Sequence, residues 1–171
     1  MDDNQKKYLI ISSTESSIDI GLLDLKTYHF PLYLKTAAML ITPFKNHPPT
    51  RTTANSMLAT IEHAVKVQST TNIIFIGCYL SDFIQVLKGK ELNQDLPYFK
   101  SFVENDLALD PELASSAKTL DEKNLTVFNI KHQIKNLKSH EFIQSLIDRN
   151  QLVIDGYVYD SIEKTLYNIH N

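Results

Sequence analysis

The sequence predicts an α/β protein: a mainly parallel sheet with helices on both faces. Three observations carry this reading. Short β-branched runs such as "YLIISS" and "NIIFIG" alternate with stretches whose apolar residues recur at helical spacing. The 171 residues suffice for one sizeable core, and 43% are hydrophobic against 22% charged, as in ordinary globular domains. No repeat or low-complexity linker interrupts the chain, so residues 1–171 read as a single domain.

Each element follows from its local pattern. Tyr8–Ser13 reads as a short buried strand, followed by the polar "STESS". Tyr28–Leu34 reads as a second strand, placed at a sheet edge because Pro31 cannot donate to a ladder. Pro43, Pro48 and Pro49 break the chain into a loop over Thr42–Thr53. Ala54 to Gln68 is a predicted helix with Ala54, Leu58, Ile61 and Val65 on one face. "TTNIIFIG" is a strand, and Asp82 to Lys88 a helix. Weak periodicity, with breaks at Pro97 and Pro111, predicts short helices and loops. Thr119 and Glu122 form a capping box for a helix carrying Val127, Ile130, Ile134 and Leu137 on one stripe. Ser139 is expected to cap another helix, with Phe142, Ile143, Leu146 and Ile147 inward. Two strand-like runs around a turn near Asp160–Lys164 close the chain.

Composition narrows the function. The net charge is −3 and the only arginines are Arg51 and Arg149, which argues against nucleic acid or an anionic membrane as partner. A single cysteine, Cys78, excludes an intramolecular disulfide and fits a reducing compartment. The apolar run Tyr8–Ile11 is too short for a signal peptide, and no stretch approaches membrane-spanning length. A cytoplasmic location is expected.

In parallel sheets, ligands bind beyond the carboxyl ends of the strands. Pattern therefore selects two loops, Ser12–Ser17 and Cys78–Asp82. Neither is glycine-rich enough to cradle phosphate. The histidines His29, His47, His63, His132, His140 and His170 form no metal-ligand pair at helical spacing, and none lies in these loops. His63 and His132, on predicted helices, read as solvated or helix-packing residues. Cys78 stands at a strand-to-helix turn, but "GCYLSDF" lacks the glycine of a nucleophile elbow. Asp82 beside it opposes thiolate formation, so a buried structural thiol is the simpler reading.

The same loops, the helix-like "NSMLATIEHAVKVQ" and above all "GYVYD" followed by "TLY" after "NIKHQIKNLKSHEFIQSLIDRNQ" resemble the β-class carbonic anhydrases. The resemblance implies a three-layer fold with a C-terminal antiparallel edge strand. It also implies zinc held by a first-loop Cys-x-Asp-x-Arg motif and a third-strand Gly-His-x-x-Cys motif, the Asp-Arg pair governing the metal-bound water. Carried onto "STESS", Ser13 stands for the first Cys, Glu15 for the Asp and Ser17 for the Arg. Carried onto "GCYLS", Cys78 stands for the His and Ser81 for the second Cys. Every ligand and dyad position has changed.

Zinc takes thiolate, imidazole or carboxylate, and serine hydroxyls stay neutral near pH 7. One thiol and one carboxylate, Cys78 and Glu15, fall short of three protein ligands, so no metal or other cofactor is expected. Without a metal to lower the pKa of water, Glu15 alone is a weak general base, and carbon dioxide hydration is expected to be lost. The expectation is an inactive homologue that binds or regulates an unidentified protein or small molecule through the residual pocket Ser13, Glu15, Ser17, Cys78 and Ser81. The alternative is a carbonic anhydrase or other small-molecule enzyme rebuilt around Glu15 and Cys78. Family members dimerise partly through an N-terminal helical arm. "MDDNQKK" is too short and polar for one, so a homodimer is expected through sheet edges or helix faces.

Overall fold

A computed structural model describes residues 6–13, 32–36, 41, 52–92 and 94–169. Its elements are β1 (Tyr8–Ser13), β2 (Leu32–Thr36), α1 (Thr52–Lys66), β3 (Asn72–Cys78), α2 (Asp82–Leu87), α3 (Pro97–Leu109), α4 (Pro111–Thr119), α5 (Glu122–Lys138), α6 (Glu141–Asp148), β4 (Val153–Asp160) and β5 (Thr165–Asn168). The strands form one sheet in the order β2-β1-β3-β4-β5. The first four are parallel and β5 runs antiparallel to β4, giving the mixed, mostly parallel sheet that the alternation of elements predicts. β2 lies at an edge, as expected, but begins at Leu32; Tyr28–Pro31 and the loop prolines Pro43, Pro48 and Pro49 lie outside the described residues.

The central strands β1 and β3 are buried on both faces, and their apolar runs follow from that. Leu9, Ile11, Ile73, Phe75, Ile154 and Val158 pack against α1, α5 and α6 through Ile61, Val65, Ile130, Ile134, Leu137 and Ile143. Ile10, Ile74, Ile76, Cys78 and Tyr159 form a second cluster from alternate strand positions, with Tyr8, Tyr157 and Leu166 against it. A third cluster joins α2, α3, α4 and α5 through Phe83, Val103, Leu113 and Leu125. Helix α5 therefore lies between two apolar layers. It sits close to the sheet because β3 and β4 carry glycine beneath it. A Cβ on Gly77 would stand 2.8 Å from Thr126 Cγ2, and one on Gly156 2.8 Å from Ile130 Cγ2.

Two helix starts differ from expectation. The N-cap of α5 is Asp121, whose carboxylate accepts from Asn124 N at 2.8 Å. Thr119 instead ends α4, its hydroxyl donating back to Ser115 O at 3.3 Å. Likewise Ser139 closes α5, donating to Asn136 O at 2.7 Å, and His140 is the N-cap of α6. Pro97 and Pro111 act as the expected breaks. Each occupies the first turn of a helix, where a missing N–H costs nothing, and α3 reaches 13 residues rather than a short turn.

Candidate functional site

Because β1–β4 are parallel, their carboxyl ends meet at one edge: Thr36, Ser13, Cys78 and Asp160. Ser12 pairs with Ile76 and Cys78 with Tyr159, so the two loops chosen from sequence leave neighbouring strands on the same side. Ser13 is buried at the end of β1. Glu15 and Ser17 lie outside the described residues, as do His29, His47 and His170.

Cys78 is only 7% exposed, packed among Ile74, Ile76 and Tyr159. Ser81 is the N-cap of α2; its hydroxyl accepts from Ile84 N at 3.4 Å, and its own N–H donates to Cys78 O at 3.1 Å. Gln85 Nε2 donates to Tyr79 O at 3.3 Å, and Gln85 N to Ser81 O at 3.0 Å. The Ser81 hydroxyl and the Gln85 side chain thus help hold the start of α2.

Sequence reasoning missed the residue that joins this turn to the next. Asp160 is 7% exposed, and its Oδ1 accepts from Tyr79 OH at 3.0 Å, Ile162 N at 2.9 Å and Glu163 N at 3.0 Å. The hydrogen bonds from Glu163 N, Ile162 N and Tyr79 outweigh burial and hold its carboxyl below the usual range. Burial, then the bond to Asp160, raises the Tyr79 phenol. The available signal was an Asp followed by a short polar turn, in which the carboxylate bonds N–H groups two and three residues on. Nearby, Lys123 stands 5.5 Å over the Tyr167 ring, and Tyr167 OH donates to Glu163 at 2.6 Å.

The described donors at the family's ligand positions are one thiol and two hydroxyls, with the Ser81 hydroxyl engaged as a cap. Among the described residues no three His, Cys, Asp or Glu side chains converge on a metal position. This donor set does not fit zinc. His63 is exposed on α1, whereas His132 is buried and paired, helix-packing rather than solvated.

The carbonic anhydrase family model matches residues 33–165, and the chain belongs to that family. The match begins after Ser13, Glu15 and Ser17, so their assignment rests on the likeness of the first strand. Among solved structures, the β-carbonic anhydrase CcaA superposes with a TM-score of 0.73 at 20% identity, over 97% of this chain and 81% of that one. The Coccomyxa β-carbonic anhydrase in complex with acetazolamide gives 0.69 at 13% identity, over 96% and 72%. One of two tetrameric β-carbonic anhydrases from Sordaria macrospora gives 0.69 at 15% identity, over 98% and 82%. At these identities the likeness establishes the fold. No curated protein matches the sequence.

Proposed function

We propose that this carbonic anhydrase family member has lost the family's zinc chemistry and acts by binding, as a pseudoenzyme with a regulatory or scaffolding role. The observation that carries the reading is the β3–α2 turn: Cys78 is buried, and Ser81 serves as a helix cap, where the family pattern has ligands. Carbon dioxide hydration needs a nucleophile stronger than neutral water, which the metal supplies in this family. A rebuilt enzyme using Cys78 would need the thiol open to substrate, and its burial counts against that. Among the described residues no helix is long and apolar enough to cross a membrane, and we place the protein in the cytoplasm on composition. The tetrameric Sordaria relatives favour self-association, which we propose as a homodimer; light scattering should give twice the chain mass, and a monomer would reject it.

Elemental analysis of untagged protein purified without chelator tests the reading. We expect less than about a tenth of an equivalent of zinc. About one equivalent, with hydration activity in a stopped-flow assay, would overturn it and make Glu15 and Cys78 the first ligand candidates.

A further inference from the structure

Away from the sheet edge, α5 carries a buried histidine between two carboxylates. His132 is 6% exposed; its Nε2 lies 2.6 Å from Asp110 Oδ2, and its Nδ1 is buried without a hydrogen-bond partner, 3.6 Å from Glu112 Oε2. Asp110 ends α3 and caps α4 at once, its Oδ1 accepting from Leu113 N at 3.0 Å. One carboxylate therefore holds both the α3–α4 corner and the histidine. Among the described residues, the charged groups facing the ring are Asp110 and Glu112 of α4, with Lys135 of α5 at 3.1 Å from Glu112; Phe128 stacks on the ring at 5.5 Å. The core side chains that α2 and α3 bring to this layer are apolar.

Either neutral tautomer of His132 turns a ring lone pair onto a carboxylate oxygen. With the proton on Nε2, the Nδ1 lone pair faces Glu112; with the proton on Nδ1, the Nε2 lone pair faces Asp110 at hydrogen-bond distance. Only the imidazolium presents an N–H to each carboxylate. We propose that His132, Asp110 and Glu112 form a proton-operated joint that fastens the α3–α4 corner to α5 and loosens when Nδ1 loses its proton. Glu112 is half exposed and 3.6 Å from Nδ1, so its hold on the ring is a modest electrostatic attraction rather than a second hydrogen bond. This device is independent of whether the protein binds zinc.

Native-state hydrogen exchange of the α4 amides Ala114 and Ala117, corrected for intrinsic rates, tests it at about pH 6 and about pH 8.5. In the native chain, protection should fall about two- to fivefold at the higher pH. Glu112→Gln offers an amide donor to the bare Nδ1 and should abolish the fall. Lys135→Gln, which removes the other partner of Glu112, should keep it. Nitrogen-15 spectra of the imidazoles should show both His132 nitrogens protonated at the lower pH. Equal protection at both pH values, the same fall in Glu112→Gln, or a bare ring nitrogen at the lower pH would each overturn the proposal.

Discussion

Ser81 and Cys78, on either side of the β3–α2 turn, each have a structural part: one caps a helix and the other fills the core. Ser81 accepts from Ile84 N and starts α2, so Ser81→Ala should lower stability by about 0.5–1 kcal/mol, read as a lower denaturant midpoint at unchanged slope. Cys78 is packed among Ile74, Ile76 and Tyr159. A disulfide reagent should therefore label it slowly in the native protein and promptly after denaturation; fast native labelling would revive a reactive role. At this scale the sequence was only partly legible. Hydroxyls both donate and accept, so Thr119 and Ser139 suit the end of one helix as well as the start of the next, and here each bonds backward. Asp121 only accepts, which makes it the better N-cap, and its place in "TLDE" carried that information. The His132–Asp110 pair joins residues 22 apart in the chain, and no local spacing announces it.

Among the elements, α5 is the one on which the others converge. Its apolar stripe of Ile130, Ile134 and Leu137 was visible from helical spacing, but its buried amides were not, since they answer to a backbone far away in sequence. Gln133 Oε1 accepts from Ile41 N at 2.6 Å, Asn136 Nδ2 donates to Ile41 O at 2.9 Å, and Gln133 Nε2 donates to Asn129 Oδ1 at 3.0 Å. Two side chains thus satisfy both backbone polar groups of one buried residue, as a neighbouring strand would. Gln133→Leu leaves the Ile41 N–H without its acceptor and should cost about 1–3 kcal/mol in equilibrium unfolding. The elements with strong local patterns (the buried strands, the proline breaks, the C-terminal hairpin) were readable because burial and backbone chemistry act within a few residues.

For the whole molecule, Asp110 and Asp160 contribute to the acid limit, as does Glu122, which Lys90 holds low. Burial alone would raise the Asp110 carboxyl, but the hydrogen bonds from His132 and Leu113 N win and lower it; Asp160 is lowered by its turn N–H groups and Tyr79. A carboxyl with a depressed folded pKa stabilises above its unfolded value, and that contribution is lost as pH falls through the folded one. Stability should hold near neutrality and fall below about pH 4. Asp110→Asn should be less stable near pH 7 and lose less on acidification, measured as denaturant midpoints across that range. The packing of α5 on the sheet draws on residues of β3 and β4 other than Cys78, which belongs to the opposite cluster. Gly77 and Gly156 set how deep that helix can sit. A methyl on Gly77 would force the Thr126 and Ile130 side chains to move, and one on Gly156 would displace Ile130 and Ile169. Two positions that carry no side chain at all thus govern how the side chains of α5 meet the sheet.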